Sequence, residues 1–138
     1  MTSQHNIGDQ VRQRTLEYYS LVDSGDVTGI LDWFTHDAEY RRPGYAPMRG
    51  TEELEAFYSG TRVIESGRHT VDALIVEAEH SDPEHSGGSV AVRGRFTGRL
   101  KDGTDVEVGF ADFIDYRRED DGALRALLRI TYFDSPAV

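Results

Sequence analysis

The chain has 138 residues, 38% of them hydrophobic and 29% charged, with a formal net charge of −10 and no cysteine. That length suits one domain with one core and excludes two. The acidic balance repels nucleic-acid phosphates, and the missing cysteine removes disulfides, thiol nucleophiles and thiolate metal sites. No apolar run approaches the roughly 18 residues of a membrane span. The opening MTSQHNIGDQ lacks a basic stretch followed by an apolar one, so no secretory leader is read and a cytoplasmic location is expected.

In chain order, residues 1–6 read as a disordered tail. A first helix is predicted from Ile7 to Asp23, with Val11, Leu16, Tyr18, Tyr19 and Val22 near helical spacing, ending at Ser24-Gly25. Asp26 is placed to cap a second helix over Val27 to Phe34, carrying Ile30, Leu31, Trp33 and Phe34. A short strand, Ala38 to Arg41, stops at Pro43-Gly44. Thr51 caps a third helix with Leu54, Phe57 and Tyr58 on one face, and Arg62 at its end is placed to cap helix carbonyls. The rest reads as strands: His69 to Ala78, Ser89 to Leu100, Thr104 to Arg117 and Leu124 to Phe133. Breaker-rich residues 80–88 join the first two, Lys101-Asp102-Gly103 the next two, and Asp120-Asp121-Gly122 the last. Helices followed by strands predict an α+β layer fold.

One residue breaks its pattern. Between Thr104 and Tyr116 the even positions are Val106, Val108, Phe110, Asp112, Ile114 and Tyr116, and strand side chains alternate between faces. Asp112 is the lone charge on the apolar face. A carboxylate there is costly unless paired, and desolvation would raise its pKa towards that of a general base or neutral donor. The other reading is a buried Asp satisfied by an arginine or by backbone groups. Arg93, Arg95 and Arg99 on the neighbouring strand oppose Asp105 and Glu107 as solvated cross-strand charges. His69 opens its strand with Val71, Ala73 and Ile75 at the same parity, where it is either an acid–base group or a hydrogen-bonded loop residue. Arg125 and Arg129 have the outward parity of the last strand unless the register shifts near Gly122. An inward one would be the natural partner of Asp112. His80 and His85 lack a third ligand, so no metal site is predicted.

The segments Tyr18-Tyr19-Ser20-Leu21-Val22-Asp23-Ser24-Gly25-Asp26, Trp33-Phe34-Thr35-His36-Asp37-Ala38, Gly50-Thr51-Glu52-Glu53-Leu54 with Phe57-Tyr58, Phe110-Ala111-Asp112-Phe113 and Thr131-Tyr132-Phe133-Asp134 together resemble the ketosteroid isomerase-like, nuclear-transport-factor-2-like superfamily, including its SnoaL-like polyketide cyclases. The resemblance spans nearly all of residues 1–138 as one domain. It implies a cone-shaped curved antiparallel sheet wrapped over about three N-terminal helices, with one apolar pocket. It further implies dimerisation through the sheet and chemistry without a cofactor. Tyr18 matches the oxyanion tyrosine, Asp112 the protonated aspartate and Tyr58 a pocket tyrosine; the division of roles is that of ketosteroid isomerase. The chain departs from the family at the general base, where Arg42 stands and cannot accept a proton. Arg42 is then expected either to hold Asp112 ionised or to bind an anionic or enolate oxygen.

The expected catalytic set is Asp112, Tyr18, Arg42 and His69. The expected ligand-binding set is Tyr19, Trp33, Phe34, Tyr58, Phe96, Phe110, Ile114 and Phe133, with Tyr40, Tyr45 and Phe57 as further aromatic candidates. The function these imply is an isomerase or aldol-type cyclase acting on a hydrophobic carbonyl or polyketide-like substrate. The alternatives are an epoxide hydrolase, a noncatalytic binding module for a hydrophobic small molecule, and a dimerising accessory domain.

Overall fold

The computed structural model describes residues 6–79 and 87–135. The expected tail, except Asn6, and the loop containing His80 and His85 lie outside them. Asn6 is the N-cap of helix α1 (Ile7–Ser24): its side chain accepts from the Asp9 N–H at 2.7 Å. Gly25 closes the helix at φ 72°, a left-handed conformation that favours glycine. Asp26 caps α2 (Val27–Trp33) through the Gly29 N–H, as expected. The buried stripe of α1 is Ile7, Val11, Thr15, Tyr18, Tyr19 and Val22. Leu16, expected on that face, is 45% exposed. Thr15 takes its place because its hydroxyl bonds the Val11 carbonyl and the Tyr116 hydroxyl, each at 2.8 Å.

Strand β1 (Phe34–Arg41) follows, then a two-residue strand β2 (Met48–Arg49) not foreseen in the sequence, then α3 (Gly50–Ala56). Thr51 does not cap α3; Arg49 occupies the cap position and makes no side-chain bond there. A π-helical turn, Phe57–Thr61, continues α3, closed by the Arg62 backbone N–H on the Phe57 carbonyl and not by its guanidinium. Strands β3 (Ile64–Glu79), β4 (Gly87–Leu100), β5 (Asp105–Arg118) and β6 (Leu124–Phe133) complete a six-stranded sheet in the order β2-β1-β6-β5-β4-β3. Gly87 and Gly88 begin β4 and do not belong to the loop. A Cβ on Gly87 would lie 2.2 Å from the Tyr116 carbonyl oxygen of the paired strand.

The curved sheet is mixed and not wholly antiparallel, because β1 pairs with β6 in parallel. Two β-bulges also depart from simple alternation. In β3, Val71 pairs with Gly94 and Ala73 with Arg93, leaving Asp72 unopposed. Parity reverses there, so Leu74 and Val76 pack inward and Ile75 is 70% exposed. In β6, Ala126 pairs with Tyr116 and Leu128 with Asp115, leaving Leu127 unopposed. Beyond it Arg129 and Thr131 face the interior and are buried. The helices pack on that inner face, and the core gathers between them and β3–β6.

Candidate active site

The inner face of the sheet and the helices enclose a cavity of about 30 Å³. Its inner end is polar. Asp112, expected as a catalytic group inside the pocket, does not line the cavity: fully buried on β5 behind Arg129 and Thr131, which do, it accepts from Tyr19 Oη at 2.5 Å, from Arg129 Nη2 at 2.9 Å, and from the Thr131 hydroxyl. Tyr40 Oη in turn meets Thr131 Oγ1 at 3.0 Å. Arg129 Nη1 donates to Tyr18 Oη at 2.5 Å and to Tyr58 Oη at 3.4 Å, while the two tyrosine hydroxyls lie 2.5 Å apart. The guanidinium also stands 4.4–4.5 Å from the ring centroids of Tyr40 and Tyr18.

The partner of Asp112 is therefore Arg129, which alternation alone placed outside. The Leu127 bulge turns it in. Arg125, before the bulge, stays on the outer side with Asp32 and Asp121. Asp112 and Tyr18 both touch Arg129 and do not touch each other. Burial pushes the Tyr18 hydroxyl well above its usual value, with Arg129 opposing; Tyr58 rises to about 12 for the same reason. Tyr19 is raised by burial and next by the charge of Asp112. Burial pulls the Arg129 guanidinium down, but Asp112 and the surrounding tyrosines outweigh it and hold the proton more tightly than usual.

The other wall carries His69. Its Nδ1 lies 2.6 Å from Asp23 Oδ1, and its backbone N–H donates to Asp23 Oδ2 at 2.9 Å. A carboxylate can only accept, so Nδ1 carries the proton, and Nε2, on a ring lining the cavity, is not hydrogen-bonded to any of the described residues. Tyr19, Phe96 and Phe110 hold that ring, with centroids 4.8–5.4 Å away. Phe96 reaches it because Gly67 and Gly98 have no Cβ: one built there would fall 2.3 and 2.6 Å from the Phe96 ring. The sequence reading missed Asp23. A signal existed, since an acid in the last turn of a helix opposes the macrodipole and needs a local reason.

Arg42 follows β1 and is only 8% exposed. Its guanidinium carbon lies 5.1, 5.5 and 5.1 Å from the rings of Tyr45, Phe57 and Phe133. No protein acceptor among the described residues meets its Nε or Nη2. It does not pair with Asp112. Of the expected site residues, Tyr18, Arg42, Tyr58, His69, Phe96, Phe110 and Phe133 line the cavity. Trp33, Phe34 and Ile114 are core, and Tyr19 sits behind the wall on Asp112. Among the described residues no cluster of three or more His, Cys, Asp or Glu is arranged to hold a metal ion. No helix among them is long and apolar enough to cross a membrane.

This architecture, a bent six-stranded mixed sheet over three helices, is the nuclear-transport-factor-2-like, ketosteroid isomerase-like fold. The sequence profile of the SnoaL-like domain matches residues 15–126, and the chain belongs to that family. Solved structures agree on the fold. A ketosteroid isomerase-like protein from Erwinia carotovora atroseptica is 15% identical with a TM-score of 0.74, covering 96% of this chain and 100% of its own. A candidate aromatic ring hydroxylase from Novosphingobium aromaticivorans is 24% identical with a TM-score of 0.80, covering 96% and 94%. ActVI-ORFA from Streptomyces coelicolor is 19% identical with a TM-score of 0.71, covering 91% and 95%. Among curated proteins, none matches the sequence.

Proposed function

We propose that this protein is a cofactor-independent enzyme that removes a carbon-bound proton next to a carbonyl, as an isomerase or aldol-type cyclase of a small hydrophobic compound. The observation that carries the reading is the His69–Asp23 pair in the cavity wall. Asp23 fixes the tautomer that leaves Nε2 basic and steadies the imidazolium once Nε2 has taken the proton. Negative charge then develops on the carbonyl oxygen. Tyr18 and Tyr58 share one hydrogen bond and both receive from Arg129, so one hydroxyl proton of the pair is left for that oxygen. Asp112 acts here as a positioning residue that balances and aims Arg129. This moves the base away from Asp112, whose oxygens are taken up by Tyr19, Thr131 and Arg129.

The cavity has room for about one or two waters, so a substrate enters by displacing wall side chains, and small carbonyl compounds fit better than large ones. The test is proton–deuterium exchange, read by NMR, of cyclic ketones and 1,3-dicarbonyls in D₂O. Wild type should accelerate exchange for at least one. His69→Gln should lose about 10²–10⁴ of that rate and Asp23→Asn part of it, both remaining folded. Exchange at the buffer rate across the panel, or unaltered in folded His69→Gln, would favour a binding module instead.

A second copy of the chain is the partner we propose for the outer sheet face. Ile75, Phe113 and Tyr132 stand there 70%, 48% and 55% exposed, the last two in edge contact. Sedimentation equilibrium reads this directly: a monomer at high micromolar concentration would count against it.

A further inference from the structure

We infer that the substrate carries a carboxylate, and that Arg42 binds it in the cavity wall; this rests on the cavity being the active site. Arg42 is more than nine-tenths buried, yet it has no carboxylate partner among the described residues. Its two unmet donors are Nε and Nη2. These lie on the same side of the guanidinium and form the parallel fork that matches the two oxygens of a carboxylate. The rings of Tyr45, Phe57 and Phe133 hold the cation without accepting from those N–H groups, so the fork is positioned but not used.

Charge around the cavity points the same way. The chain as a whole is strongly acidic, but three arginines, Arg42, Arg62 and Arg129, line this one space. With His69 neutral, Asp112 and Asp23 offset two of the three arginines, which leaves one surplus positive charge around the cavity. A singly charged carboxylate on an apolar body matches one free guanidinium among aromatic rings. A phosphate dianion would bring a second charge that Arg42 alone does not answer.

The test uses the full chain and benzoate, with benzamide as the neutral isostere and inorganic phosphate as the second anion. Binding is followed by NMR through the Arg42 Nε–H signal and the backbone amides of β1, β3 and β6. Benzoate is expected to bind and shift the Nε–H signal, with benzamide and phosphate at least tenfold weaker. Arg42→Gln should weaken benzoate at least tenfold, and Arg42→Lys should restore part of the loss. Asp23→Asn, which loses part of the exchange rate if the proposed function holds, should still bind benzoate as wild type does, so the two readings fail separately. The inference is overturned if benzoate does not bind at millimolar concentration, if folded Arg42→Gln binds it equally well, or if benzamide or phosphate matches it.

Discussion

Two buried arginines line one small cavity from neighbouring strands, and they live differently. Arg129 donates to Asp112, Tyr18 and Tyr58, and only its Nε lacks an acceptor. Arg42 is almost as deeply buried and its Nε and Nη2 meet only aromatic faces. A buried charge with its own carboxylate and hydroxyls is a structural solution that needs no visitor. A buried charge without them is an unsolved cost that folding alone gives no reason to keep, so its reason lies in what it binds. The inner end of the cavity is therefore the part that holds the fold and presets the tyrosines, and Arg42 with the His69 pair is the part we propose takes a ligand.

The largest effect should come from breaking the satisfied side. Arg129→Met would leave Asp112 buried without its cation and should cost about 3–5 kcal/mol in urea unfolding. Combining it with Asp112→Leu should recover most of that loss, because the stranded charge is gone. A single-variant loss below about 1 kcal/mol would mean that the network is not structural.

Alkaline pH sharpens the same side more gently. Burial raises Tyr18, Tyr19 and Tyr58 above their unfolded value near 10, Tyr58 to about 12. A tyrosine whose folded pKa is raised contributes stability that is intact below pH 10. It is lost as pH climbs through the folded value, because the unfolded chain releases its proton first. For Tyr58 the loss from pH 10 to 12 is about 2–3 kcal/mol. Unfolding midpoints measured at steps from pH 9 to 12 should fall across that window, and Tyr58→Phe should flatten part of the slope. A midpoint independent of pH there would contradict the burial of these hydroxyls.

What could be read in advance follows from which forces are local. Alternation along β5 was enough to find Asp112 and its face, and Gly25, Asp26 and the Lys101-Asp102-Gly103 turn marked their boundaries by backbone chemistry. The partner of Asp112 was misplaced because a single unopposed residue, Leu127, reverses the parity of everything after it, and a bulge has no reliable mark in one sequence. Asp72 did the same to Ile75. The His69–Asp23 contact joins residues 46 positions apart, and the parallel pairing of β1 with β6 joins Phe34–Arg41 to residues 126–130. Neither is set by local propensity; both come from how the sheet closes over α1.

The smallest effect should have the opposite sign. Arg42→Met keeps an unbranched side chain of similar reach and removes the charge. Losing the cation costs its attraction to Tyr45, Phe57 and Phe133, about 0.5–1 kcal/mol for a ring contact at an exposed site and about 2 kcal/mol for a desolvated one. The geometry here, with centroids just beyond 5 Å, favours the lower figure. Against that stands the penalty of holding a guanidinium away from water with two nitrogens unanswered, several kcal/mol after relaxation. Methionine recovers that penalty and keeps its own contact with the rings. The balance should leave Arg42→Met about 1 kcal/mol more stable, a rise of roughly 3–5 °C in Tm for a chain of this size. The ligand-facing wall would thus gain stability by the kind of change that wrecks the network wall. If Arg42→Met instead loses more than about 1 kcal/mol in the same thermal and urea series, the two arginines do the same structural work and the contrast between them fails.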